Sequence, residues 1–129
     1  VCVTHAFGFA GKGTNEMPDP ERRDLENLGF QVYTATHVLS GAERGLSRVF
    51  QGAYPVEILA HALRLFGQGV KVCVEVSVMA LDGGLLPCGT PIVALGGTKS
   101  GLDTAVLLSP SHAGALLETR IHQIICKPF

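Results

Sequence analysis

Short β-branched runs alternate with stretches of helical period along this chain, and the alternation sets the order of its elements. Val1 to His5 (VCVTH) is an apolar run of strand length, followed by a polar, glycine-rich stretch over 8–18. Asp19 and Pro20 then fit an N-cap and a first helical residue, with Gly29 as the stop and Leu25 and Leu28 as the apolar stripe between them. Gln31 to Ala35 (QVYTA) forms a second strand. The connection is long enough for a parallel crossover, so the opening of the chain reads as a βαβ unit.

Gly41 to Phe50 (GAERGLSRVF) fits either a short, glycine-interrupted helix or a structured loop. Pro55 to Phe66 is a firmer helix, because Ile58, Leu59, Ala62, Leu65 and Phe66 repeat at helical spacing between an initial proline and Gly67. The segment 69–84 satisfies two periods at once. Val70, Val72, Val74, Val76 and Val78 alternate as in a strand, while Val70, Val74, Ser77, Val78 and Leu81 share a helical face. Its length and its closing Asp-Gly-Gly decide for a buried helix. Ile92 to Leu95 and Thr104 to Leu108 are strands whose connecting loop is too short for a parallel crossover, so they form a hairpin with an antiparallel edge strand. Ile121 to Cys126 is a final short strand or an extended tail. The expected fold is α/β, a mostly parallel sheet with an antiparallel edge hairpin.

Composition narrows the class. A chain of 129 residues fits one domain and buries roughly two-thirds of its unfolded surface. With 47% hydrophobic and 16% charged residues it has the makings of a core buried on several faces. A formal net charge of −1 supplies no global field for nucleic acid or an acidic membrane. The apolar stretch Val70 to Leu81 is interrupted by Lys71, Glu75 and Ser77 and is too short to span a bilayer. The first residues do not follow the basic, apolar, small-residue order of a signal peptide. Cys2, Cys73, Cys88 and Cys126 lack the clustered spacing of a zinc site and read as buried free thiols of a reducing cytoplasm, with no metal expected.

Candidate chemistry concentrates at strand ends. Pro91 to Pro110 (PIVALGGTKSGLDTAVLLSP) places three glycines, Lys99 and three hydroxyl side chains between two apolar runs. Glycines let backbone N–H groups converge on an anion, and Lys99 adds the charge that fixes it. The plainer reading is a hairpin that needs positive φ angles, with Lys99 a solvated tip. The first two strands end alike, at Thr4-His5 and Thr36-His37, and ligands of open α/β sheets bind beyond the carboxyl ends of strands. If the Ile92 strand runs parallel to them, its glycine loop lies on the same rim, and His112 lies on the opposite one. Arg44 and Arg48, one turn apart beside Ser40 and Gly41, can reach an anion; ion pairing with Glu43 or Glu57 is the simpler account. Glu75 is either on a solvated helix face, the favoured reading, or a buried carboxylate aimed at a ligand. His61 and His122 belong to no constellation.

The segments THAFGFAGKGTNEM, TATHVLSGAERGLSRVFQGAYPVEILAHALRLFGQGVKVCVEVSVMALDGGLLP and IVALGGTKSGLDTAVLLSPSHA closely resemble the stand-alone archaeal and bacterial proteins similar to the pyruvate kinase C-terminal α/β domain. The resemblance covers nearly the whole chain. It implies a three-layer α/β/α fold. In pyruvate kinase the loop that looks like Gly96 to Thr104 helps hold a phosphorylated effector, so the resemblance also implies a pocket for a phosphorylated metabolite or flavin mononucleotide. Those relatives carry a further segment ahead of the position of Val1, with a central strand and a second anion-binding loop. The chain is accordingly expected to be an N-terminally incomplete single domain over 1–129, less soluble alone and prone to self-association through unpaired strand edges. Pyruvate kinase activity is not expected, because the barrel that transfers the phosphoryl group is lacking.

Two functional readings follow. In the first, a binding module holds a small phosphorylated molecule through Thr4, His5, Thr36, His37, Ser40, Arg44, Gly96, Gly97, Thr98, Lys99, Ser100, Gly101 and Thr104. In the second, His5 or His37 acts as acid or base beside a bound cofactor. No nucleophile with a positioned base is evident for the second.

Overall fold

The computed structural model describes residues 1–129, and its organising element is the segment with the double period. Gln68–Asp82 is a helix, here α4, with eleven of its fifteen residues buried. A helix apolar around most of its circumference must be covered on several sides. One side of α4 packs Val70 and Cys73 against Ala94, Val106 and Leu108 of a sheet. Another packs Val74 against Ala60 and Leu39.

The βαβ opening is present. Strand β1 (Cys2–Thr4) pairs in parallel with β2 (Val32–Thr34), and helix α1 (Asp19–Asn27) lies in the crossover. Asp19 is the first helical residue and not the cap, because Pro18, with φ −63° and ψ 148°, is still extended. Its carboxylate in the first turn suits the positive end of the helix dipole. No residue of α1 is buried. Of its expected apolar stripe, Leu28 is 76% exposed. Gly41–Phe50 is a helix, α2, and Pro55–Arg64 is α3.

Strand β3 (Ile92–Gly96) forms the expected antiparallel hairpin with β4 (Thr104–Ser109). Strand β4, however, is central and not an edge strand, because β5 (Arg120–Cys126) pairs antiparallel with its other side after a 3-10 stretch, Ala113–Glu118. The sheet is therefore divided: two parallel strands in one part, three antiparallel strands, in the order β3-β4-β5, in the other. The mixed α/β class holds, but only β1 and β2 pair in parallel. Strand β1 passes Ala80 and Val76 of α4 and reaches Lys71 and Glu75, while β3 ends with Gly96 on Gly69 and Cys73. Both strands thus run toward the amino-terminal end of α4. Their facing edges stay separated by a cleft of about 470 Å³ lined by apolar side chains, Val3, Val76, Ile92 and Leu102 among them.

No helix is long and apolar enough to cross a membrane. Among the four free thiols only Cys73 is buried, and burial pushes its pKa up to about 11; Cys88 and Cys126 are exposed, against the expectation of buried thiols.

Candidate functional site at the amino-terminal end of α4

The parallel pairing of β1 and β2 places Thr4 opposite Thr34, with their hydroxyls 2.6 Å apart. Thr36 is not the partner that the repeated Thr-His pattern suggests. It is exposed and lines an adjoining hollow of about 420 Å³ beside Tyr33, Val56 and Asp82, which shares His37 and Ser40 with the pocket described below but does not include Thr4 or His5. The two histidines meet nonetheless. Their ring centroids lie 5.4 Å apart edge to face, and the His5 ring stacks on Phe9 at 4.1 Å. The Nδ1 atom of His5 is engaged by the Glu16 carboxylate.

His37 accepts a hydrogen bond from the Ala6 amide on Nε2, at 3.2 Å. That contact requires the uncharged ring with its proton on Nδ1. Burial is the main cause holding the His37 pKa below its ordinary value; nearby His5 and Lys71 add to it, while Glu75 and Glu16 oppose it. Two independent features of the site, a hydrogen bond and desolvation, thus favour the same neutral form.

Glu75 is 5% exposed and does not sit on a solvated helix face. Because α4 is covered on several sides, its polar residues must find partners inside. Glu75 Oε2 pairs with Lys71 Nζ one turn away, and Oε1 accepts the Leu39 amide at 2.9 Å. The second bond fixes the loop that presents His37 and Ser40, since Leu39 is itself 1% exposed and anchored among Ala60 and Val74.

Around these groups lies a pocket of about 200 Å³ that gathers Thr4, His5, His37, Ser40 and Arg44 of the expected set, and adds Arg64, Gln68, Lys71 and Glu75. Arg64 Nε donates to Gln68 Oε1 at 2.8 Å. The simpler account of Arg44 and Arg48 does not hold, because neither forms an ion pair. Glu43 instead accepts the Glu57 amide, and Glu57 accepts the Ser47 hydroxyl.

The glycine loop occupies the same end of α4 but not the wall of this pocket. A Cβ on Gly69 would lie 2.0 Å from Thr104 Oγ1, and one on Gly96 would lie 2.7 Å from the Gly69 carbonyl oxygen. These close approaches clamp the base of the loop to the helix. Within the loop Gly97 abuts the Gly101 carbonyl, Gly101 takes φ +73°, and Thr98, Lys99 and Ser100 are exposed. The Thr98 amide and the Thr104 hydroxyl donate to the Asp103 carboxylate at 3.1 and 2.7 Å. Those bonds hold the Asp103 pKa below its usual value. The loop therefore already contains an anion of its own.

Sequence reasoning missed Asp103, Arg64, Lys71 and the inward direction of Glu75. The signal for the last two was visible as two opposite charges at i and i+4 inside an apolar run. His112 lies at the opposite end of α4, with its Nδ1 2.6 Å from Asp82. No group of three or more His, Cys, Asp or Glu side chains is placed to hold a metal ion. No protein-family model matches the chain. The fold and the pocket together define a mixed α/β protein with a cationic, histidine-bearing pocket where two parallel strands end.

Proposed function

We propose that this protein is a small-molecule-binding module that takes a phosphorylated ligand in the pocket at the amino-terminal end of α4. The observation that carries the reading is the convergence of Arg44, Arg64, Ser40 and His37 on one pocket while neither arginine has a carboxylate partner. Guanidinium groups without anionic partners bind phosphate as a planar fork, and a hydroxyl and an imidazole N–H add neutral donors. The Lys71 charge is offset by Glu75, so the arginines supply the net positive field.

The pocket's 200 Å³ lies below the ~300–1,000 Å³ of clefts that bury drug-sized ligands. This supports a compact phosphorylated metabolite over flavin mononucleotide. The glycine loop Gly96 to Thr104 belongs to the reading as a flanking element, available to an anion once the Asp103 carboxylate yields its donors. The reading also includes the three-layer α/β/α arrangement implied by the resemblance to the pyruvate kinase C-terminal domain, a cytoplasmic location, self-association, and no nucleic-acid or membrane partner. Native mass spectrometry tests it: retention of added glycerol phosphate by the protein, reduced in Arg44→Gln, is expected. No retention at millimolar concentration contradicts it.

A second reading, acid–base catalysis, is favoured by one arrangement, the Glu16-oriented His5 beside the neutral His37. An enzyme would keep its ligand and lose turnover when both histidines become Gln, whereas a binding module would lose part of its affinity.

A further inference from the structure

We infer that residues 6–17 form a lid over the pocket, latched by the neutral His37 ring and released when that ring takes up a proton. This inference rests on the proposed ligand-binding function and gives the pocket its regulation. The segment joins β1 to α1 and carries Phe9, which lines the 200 Å³ pocket together with His5 and His37. Its backbone ties are internal. The Gly8 amide donates to the Thr14 carbonyl at 2.7 Å, the Phe9 amide to Ala6 at 2.9 Å and the Thr14 amide to Gly11 at 3.1 Å. Those bonds stay with the segment whether or not it is docked. Of the hydrogen bonds made by residues 6–17, one reaches past His5 to the body of the protein, from the Ala6 amide to His37 Nε2. Ring contacts complete the latch: Phe9 stacks on His5 at 4.1 Å, and both rings lie 5.4 Å from His37.

The latch works in one protonation state. A hydrogen bond into Nε2 needs the lone pair of that atom, and a proton there sets two donors, the ring and the Ala6 amide, against each other. No second bond from the segment to the body replaces it. The charged groups around His37 come from every neighbouring element: His5 and Glu16 from the segment and its hinge, Lys71 and Glu75 from α4, Arg44 from α2 and Arg64 from α3, with Glu43 and Asp82 across the adjoining hollow. Burial, aided by His5 and Lys71, keeps the ring neutral, whereas Glu75 and Glu16 favour the charged ring. The lid is therefore latched at neutral pH and opens in acid. His5 and Glu16 behave differently, because their contact joins the two ends of the segment to each other. Their titration alters its shape and not its attachment to the body. Opening uncovers the side of the pocket formed by Phe9, so the ligand exchanges in the acid form and is enclosed in the neutral one.

NMR relaxation of the unliganded protein as pH falls from neutrality, with the His37, His5 and Glu16 side-chain resonances followed in the same samples, tests the inference. Backbone order parameters over residues 8–13 are expected near ~0.85 while His37 is neutral and below about 0.6 once it is charged, with the midpoint of the His37 titration. In His37→Gln, whose amide oxygen also accepts the Ala6 N–H, the segment should stay ordered through the same range; in His37→Ala it should be loose at every pH. Unchanged amide shifts in β3 and β4 verify the fold of both variants, and the wild-type midpoints decide the matter if either fails to fold. Order that persists after His37 is charged, or that is lost with the midpoint of His5 or Glu16, or lost equally in His37→Gln, overturns the inference. These readouts use no ligand, so such a result leaves the proposed function standing. A transition at the His37 midpoint in a protein that retains no phosphate supports the latch and overturns the proposed function instead.

Discussion

Lys71 and Glu75 set the electrostatics of the pocket from inside the fold. Both are about 5% exposed, and removing one partner of such a pair leaves a buried charge uncompensated, at a cost of ~3–5 kcal/mol. Lys71→Met is therefore expected to lower the urea midpoint strongly. The double variant Lys71→Met/Glu75→Gln should recover much of the loss, since the amide oxygen still accepts the Leu39 N–H. Equal midpoints for the single and double variants would show that the pair does not act as a unit. His37 responds to pH with a definite sign. Its folded-state pKa is depressed, chiefly by burial, so the folded state binds fewer protons than the unfolded chain between that value and about 6.5. Stability contributed by neutral His37 is present above about pH 6.5 and is lost as pH falls through the folded-state pKa. His37→Gln should flatten the denaturation midpoint over that range, and an unchanged slope would remove His37 as the cause. At this scale part of the pocket was legible: Thr4, His5, His37, Ser40 and Arg44 converge, whereas none of the expected loop residues from Gly96 to Thr104 lines it. Thr36 does not join them, because register pairs Thr4 with Thr34, and register depends on how two strands lie together.

Among elements, α4 shows how length settles a doubly periodic pattern. Its valines alternate as in a strand, yet fifteen residues closing on Gly83 and Gly84 form a helix whose burial on several sides satisfies both periods. The same burial turned Glu75 inward, an outcome that a one-sided helix would not have forced. Pairing between the two strand groups was not legible, because side-chain pattern identifies strands but not the edge each one presents. Contact between α4 and the hairpin depends on Gly69, whose absent Cβ would lie 2.5 Å from Thr104 Cβ. Overpacking of this kind costs about 1–3 kcal/mol. Gly69→Ala should lower the melting temperature and perturb the Thr98 and Asp103 amides, because the base of the glycine loop must move. A melt like that of the wild type would show that β4 yields without cost.

At the scale of the molecule, α4 joins two separate strand groups, and the directions of β1 and β3 bring their carboxyl ends to its amino-terminal end. The histidine loop, the arginines of α2 and α3, and the glycine loop collect there, while His112 and Asp82 occupy the far end. The central claim is that this one end of α4 receives phosphate. Amide chemical-shift mapping during titration with inorganic phosphate tests it most directly. Saturable shifts at Ala6, His37, Ser40 and Arg44, with none at Asp82 or Ala113, are the result this account predicts. Shifts confined to other parts of the chain, or none at millimolar phosphate, would contradict it.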